Sequence, residues 1–240
     1  MANFTMSYFS PSLRFNTTID VFVPNSSDKE NVTYINKKNF NKKSKYPVLI
    51  LLHDIYKDST DLLNYTNILE KAQSKKMVVV MPTIGNNFYE NWFMNTDYNS
   101  FILKELPQYV QRYFSVSKNL NDTYIGGVGM GGYGAVTLSV LNPNIFSYAF
   151  SLQSKIQSFQ YFENSINKTQ LQFKSTDLKI YFNCNHDDPY FLQYLDRKKE
   201  NGFHHKKDYN VDCSLDISLN NVLNWIEEDK ENCKNEVQCG

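Results

Sequence analysis

The sequence predicts an α/β fold: a mainly parallel central sheet with helices on both faces. Three observations lead there. Short continuous apolar runs, "PVLILLH" at 47–53 and "MVVVMP" at 77–82, suit strands buried on both faces. Segments of helical periodicity fall between such runs, and strands alternating with helices imply parallel strands joined by crossovers. A glycine-rich turn, "GGVGMGGYG" at 126–134, separates an apolar run from a helical one.

Each element follows from its local pattern. "TTIDVFV" at 17–23 alternates apolar and polar residues, as a half-buried strand does. "TYIGGVG" at 123–129 and "KIYFNCN" at 179–185 read as further strands, and "NIFSYAFSL" at 144–152 contains another. His204 and His205 fall in one more strand. From 101 to 114, Ile102, Leu106, Val110 and Tyr113 recur at helical spacing, with Pro107 inside the pattern and expected to kink it. "AVTLSVL" at 135–141 continues the glycine turn as a helix and stops before Pro143. In "SLNNVLNWIEE" at 218–228, Leu219, Val222, Leu223 and Ile226 share one helix face. The Asn/Lys-rich stretch near 24–46 reads as a polar surface loop or an elaborated hairpin before the sheet core, and the polar tail is expected to fray from about 229.

Bulk properties narrow the function classes. A chain of 240 residues without a Pro/Gly/Ser-rich linker suggests a single domain, 1–240. With 41% hydrophobic and 15% aromatic residues, it has ample material for a core. Lys+Arg and Asp+Glu balance at 25 each, which argues against nucleic acid or an anionic membrane as partner. No apolar run reaches membrane-spanning length, and "MANFTMSYFSPSL" lacks the charged and apolar regions of a signal peptide. The expected location is therefore the cytoplasm. There the reduced state suits Cys184, Cys213, Cys233 and Cys239 better than a C-terminal disulfide. Sequons such as those at Asn16 and Asn64 are expected by chance in so Asn-rich a chain. No cofactor or metal is implied. The Cys213/Cys233/Cys239/His204 spacing fits no compact zinc motif, and the glycines lack the acidic ribose partner of a dinucleotide site.

The glycine turn carries the chemistry. Gly127-Val128-Gly129-Met130-Gly131 has the frame G-x-S-x-G of a nucleophile elbow, with glycine in place of serine. Together with "PVLILLH", "MVVVMP", "KELPQYVQRYF" and "KIYFNCNHDD", the stretch "YIGGVGMGGYGA" resembles the esterase D/tributyrin esterase family of α/β-hydrolases. That family includes S-formylglutathione hydrolases and small acyl esterases. The resemblance implies the α/β-hydrolase fold and a serine carboxylesterase ancestry, and it assigns positions. Gly129 stands at the nucleophile position and has no atom that attacks a carbonyl. Glycine also relieves the strain of about 1–3 kcal/mol that another residue bears in such a turn. Asp188 stands at the acid position, with Asp187 as its neighbour; because Pro189 follows, Asp188 equally fits a helix N-cap. The family's loop histidine is missing from "DYNVDCSLDISL", where Asn210 lies near the base position. His204 and His205 lie just upstream, and His186 lies beside the acid. In the oxyanion-hole region, His53 is followed by Asp54 where the family has glycine, and the Met130 N–H remains one donor. A charge on Asp54 near a developing oxyanion is expected to cost on the order of a few kcal/mol.

These departures predict an esterase-like chain that has lost serine-hydrolase activity while keeping the capacity to bind a small acyl-ester-like ligand or a protein. Two alternatives remain at this stage: an active ester hydrolase with a non-standard site, and an interaction protein with no functional pocket. The aromatic stretch "NFYENWFMNTDY" at 87–98 suits either a pocket wall or ordinary packing. Oligomeric state is not written in the sequence.

Overall fold

A computed structural model describes residues 2–25, 45–87, 89, 96–153, 178–183, 204–208 and 214–238. Eight strands form one sheet: β1 (Ala2–Ser10), β2 (Phe15–Val23), β3 (Val48–Leu52), β4 (Val78–Thr83), β5 (Thr123–Val128), β6 (Tyr148–Leu152), β7 (Lys179–Asn183) and β8 (His204–Asp208). Their order is β1-β2-β4-β3-β5-β6-β7-β8. The β1–β2 and β2–β4 pairs are antiparallel and all others parallel, as an α/β-hydrolase fold requires.

The central strands are buried on both sides, which explains their continuous apolar runs. Val48, Ile50 and Leu52 of β3 join Val78 and Val80 of β4 in one core. Leu49, Leu51, Val79 and Met81, pointing the other way, join a second core. Helix α1 (Ser59–Tyr65) and helix α2 (Ile68–Ser74) contribute Leu62, Ile68 and Ala72 to that second core. Helix α3 (98–113) and helix α4 (Met130–Leu141) cover the first with Phe101, Ile102, Leu106, Val110, Tyr133 and Val136. Helix α5 (Leu215–Gln238) lays Leu219, Val222, Leu223 and Ile226 on the second, the face expected from sequence.

Four local features depart from expectation. β1 has no counterpart among the expected strands; Phe4, Met6 and Tyr8 alternate there with Thr5 and Ser7, but only Ser10 of the strand is buried, in contrast to the buried half of β2. The irregularity expected at Pro107 falls in the turn before it. A π-helical turn at Phe101–Glu105, in which the Leu106 N–H reaches the Phe101 carbonyl, places the proline at the start of the regular turns that follow, where an N–H is dispensable. Tyr113, expected inside, is 58% exposed and leans on the Tyr109 ring. The tail expected to fray from about 229 is helical to Gln238. Asp229 pairs with Lys179, and Lys230 reaches Asp122 at 3.0 Å and the Tyr124 hydroxyl at 2.7 Å, so partners remote in sequence hold this turn.

The polar loop near 24–46 lies largely outside the described residues. No helix among the described residues is long and apolar enough to cross a membrane. Leu223→Ala should destabilise the fold by about 2–5 kcal/mol in urea unfolding, because it empties the centre of the α5 contact. Glu228→Ala, on the exposed face of the same helix, should change stability by no more than about 0.5 kcal/mol.

Candidate active site

Gly129 sits between the end of β5 and the first residue of α4, the strand–turn–helix geometry of a nucleophile elbow. Its φ of 53° and ψ of −115° lie where side chains are strained and glycine is not. Its N–H donates to the Leu152 carbonyl at 2.9 Å, and its carbonyl accepts from the Tyr133 N–H at 3.1 Å. The elbow is pressed against the end of β3. A Cβ on Gly131 would overlap the Leu52 and His53 carbonyl oxygens, so only glycine lets the helix begin there.

The space a side chain at 129 would occupy is filled by Asp54. A Cβ built on Gly129 lands inside the Asp54 carboxylate, against both of its oxygens. The carboxylate is held in place: Oδ1 accepts from the Met130 N–H at 2.7 Å and from the Ile55 N–H at 2.7 Å. Met130 opens α4, a helix of twelve residues, so the negative charge also faces the positive end of the helix dipole. Two backbone donors converging on one oxygen at a helix N-terminus make an anion cradle of the kind that stabilises tetrahedral oxyanions. Here the anion is part of the chain. Asp54 thus lies nearer the elbow than the expected neighbouring charge, and Ile55, unnoticed in the sequence, supplies the second donor.

His53 supports this arrangement from behind. It is 1% exposed; its Nε2 accepts from the Ile84 N–H at 3.2 Å, so the proton resides on Nδ1, which donates to the Asp54 carbonyl at 2.8 Å. Burial pushes its pKa below the ordinary 6.5 and keeps the ring neutral. The Tyr89 hydroxyl donates to the His53 carbonyl at 3.0 Å. Burial, and then the Asp54 charge, hold that phenol well above its ordinary pKa. Tyr89, 2% exposed, is therefore a packing residue; 88 and 90–95 of the same aromatic stretch lie outside the described residues.

The remaining sequence-derived catalytic positions contribute no described side chain. Asp187, Asp188, His186 and Asn210 lie outside the described residues. The backbone of His204 and His205 is remote from the elbow. β8 is three strands from β5, roughly 14 Å at strand spacing. The two histidines pair with Lys179 and Ile180, at the opposite end of the parallel strands from Val128, Leu152, Asn183 and Asp208. Cys233 is an exposed free thiol, 3.3 Å from Lys179 Nζ. A cavity of about 310 Å³ lies away from the elbow, where Trp225, Asp208, Tyr181 and Asn221 meet. The Asp208 carboxylate in its wall is engaged: Oδ2 accepts from the Tyr181 hydroxyl at 2.5 Å and from Asn221 Nδ2 at 3.3 Å.

Shared space makes positions 54 and 129 non-additive. Gly129→Ser should cost about 2 kcal/mol or more through strain and overlap, and Asp54→Gly should cost about 2 kcal/mol through its lost hydrogen bonds. The double variant should be more stable than their sum by at least about 1 kcal/mol in urea unfolding; additive costs would show that the two do not compete. His53 adds a pH dependence. Its folded pKa is lowered, so the unfolded chain takes up the proton first: the contribution is intact above about pH 6.5 and falls as pH drops below it, by at most about 1.4 kcal/mol per pH unit. Unfolding measured from pH 7.5 to 5 should show this loss, and His53→Gln should flatten it.

Comparison with known proteins agrees with the geometry. The family model described as "Putative esterase" matches residues 25–209. An acetyl esterase from Caldicellulosiruptor saccharolyticus is 28% identical over 138 residues, 57% of this chain and 50% of the relative; the chain thus spans about half the length of the curated relative it matches. Among solved structures, the fluorophosphonate-binding serine hydrolase F of Staphylococcus aureus superposes with a TM-score of 0.72 at 20% identity, covering 94% of this chain and 98% of its own. S-formylglutathione hydrolase from the same organism gives 0.66 at 21% identity, with 94% and 98% covered. A ferulic acid esterase gives 0.69 at 19% identity, with 94% and 96% covered. The match to the family model over more than half of the chain, on a sheet of this order and with this elbow, places the protein in the esterase family of α/β-hydrolases.

Proposed function

We propose that this chain is a non-hydrolytic member of its family, which uses the esterase fold as a binding scaffold rather than as a serine esterase. The observation that carries this reading is the Asp54 carboxylate held by the Ile55 and Met130 N–H groups beside Gly129. Acyl transfer through this elbow needs two things: an attacking atom at 129 and free donors for the oxyanion. Glycine supplies no attacking atom, and the donors are engaged. A substrate carbonyl entering the cradle would displace a carboxylate whose two charge-assisted bonds are worth about 1.5–3 kcal/mol each, and would put a neutral oxygen in its place. The filled space also favours a protein-interaction role over binding of a small acyl-ester-like ligand at the elbow, because a ligand there competes with a group tethered to the site.

The test combines turnover with covalent labelling. Purified protein incubated with p-nitrophenyl acetate should release nitrophenol no faster than a heat-denatured control, and a fluorophosphonate probe should leave no adduct in intact mass spectrometry. Gly129→Ser alone should remain silent in both, since Asp54 still fills the cradle. Wild-type turnover that disappears on Asp188→Ala or His205→Ala would instead establish an active hydrolase with a different site.

A further inference from the structure

We propose that β1 pairs antiparallel with β1 of a second copy of this chain, joining two eight-stranded sheets across a two-fold axis. The proposal rests on the contrast between the two edges of the sheet. An edge strand presents unpaired N–H and C=O groups, and proteins guard such edges with charges, proline, bulges or short strands. β8 is guarded: it has five residues, and Lys206, Lys207 and Asp208 are three of them. β1 carries none of these devices. It has nine residues, Ala2–Ser10, with no charged residue and no proline. Its register with β2 runs unbroken from Ala2↔Val23 to Ser10↔Phe15, so no bulge turns the edge aside. Asn3, Phe4, Thr5, Ser7 and Phe9 are exposed along it.

Charge and side-chain pattern point to a second copy as the occupant. Two-fold antiparallel pairing sets a strand against its own reverse, so a charge at the centre of the register meets its own copy directly, and charges beside it meet their copies diagonally. For β8 that operation brings lysines together; for β1 it brings no charges together. In a register centred on Met6, the midpoint of the strand, Phe4 lies opposite Tyr8 of the second copy on one face, and Asn3 lies opposite Phe9 on the other. Aromatic cross-strand pairs of this kind each contribute roughly 0.2–1 kcal/mol. An aromatic surface continues the edge onto α3. Phe4 leans on Phe114 with ring centroids 5.5 Å apart, Tyr8 stacks on Tyr109 at 4.3 Å, and Tyr109 meets Tyr113 at 4.8 Å. Phe4 and Phe9 are 45% and 60% exposed, and Tyr113 58%, so apolar area remains to be covered on both sides of the strand. The two-fold axis duplicates this surface at each end of the ladder.

Association is read by sedimentation equilibrium or light scattering from ~5 to ~500 µM, where mass action shifts the population. Wild-type protein should approach twice 28.1 kDa at the upper end. The exposed-edge variant Asn3→Lys/Ser7→Lys should stay at one chain mass over the same range, with wild-type circular dichroism and, at ~5 µM where both are monomeric, the wild-type thermal midpoint. A second measurement needs no variant: β1 amide hydrogen exchange should slow with increasing concentration while β8 exchange stays constant. Monomeric wild type throughout overturns the proposal, as does a dimer that survives both lysines, or a dimer without concentration-dependent protection of β1. None of these readouts involves hydrolysis, so the outcome is independent of the reading of the elbow.

Discussion

The first turn of α4 approaches the end of β3 so closely that no side chain fits between them, and the chemistry of the region follows from that approach. Gly131 accepts the contact with the Leu52 and His53 carbonyls, and the contact brings the Met130 N–H within 2.7 Å of a residue 76 positions earlier in the chain. Once β3 and α4 meet this way, the residue after His53 can reach the helix N-terminus. Asp54 is there, and its carboxylate closes the space. The turn that follows, where the Lys57 N–H returns to the Asp54 carbonyl at 3.2 Å, leaves the Ile55 N–H to add a second bond to the same oxygen.

Charge in this region is organised in layers. Among the described residues the carboxylate meets backbone dipoles, and the groups behind it, His53 and Tyr89, are both held neutral by burial. A protonated His53 would lose the Ile84 N–H bond, since a ring nitrogen that carries a proton no longer accepts one. The anion of Asp54 is thus supported by polar groups that keep one protonation state near neutral pH. Together they tie the end of β3 to the first turn of α4 and to the residues after β4.

Much of the fold was legible because burial imposes a simple code. The apolar runs of β3 and β4, the four-residue face of α5 and the glycine frame at the elbow each depend on local spacing, and each stands where it was expected. What escaped depends on residues far apart in sequence. The end of α5 is polar and reads as frayed, yet Lys179 and Asp122 hold it. The π turn before Pro107 is a backbone adjustment with no signature in side-chain periodicity. β1 carries only a short alternation, Phe4, Met6 and Tyr8 against Thr5 and Ser7, and its place in the sheet is set by pairing with β2 rather than by a buried face. Asp54 was conspicuous as a residue type beside His53. Whether its carboxylate faced solvent or the elbow was decided by the turn after β3 and by the donors waiting at α4.

The overlap between Asp54 and position 129 also bears on what mutation can reach. One nucleotide change converts many glycine codons to serine codons, so a hydroxyl at 129 lies a single step away in sequence space. In this structure that step leads into an occupied site. Removing Asp54 first is no easier, because it strips the anion from two N–H groups and a helix end that are built around it. Each path passes through a less stable protein before any hydroxyl can face a substrate. The pair acts as a latch between neighbouring sequences, holding this chain apart from nucleophilic relatives that share its fold.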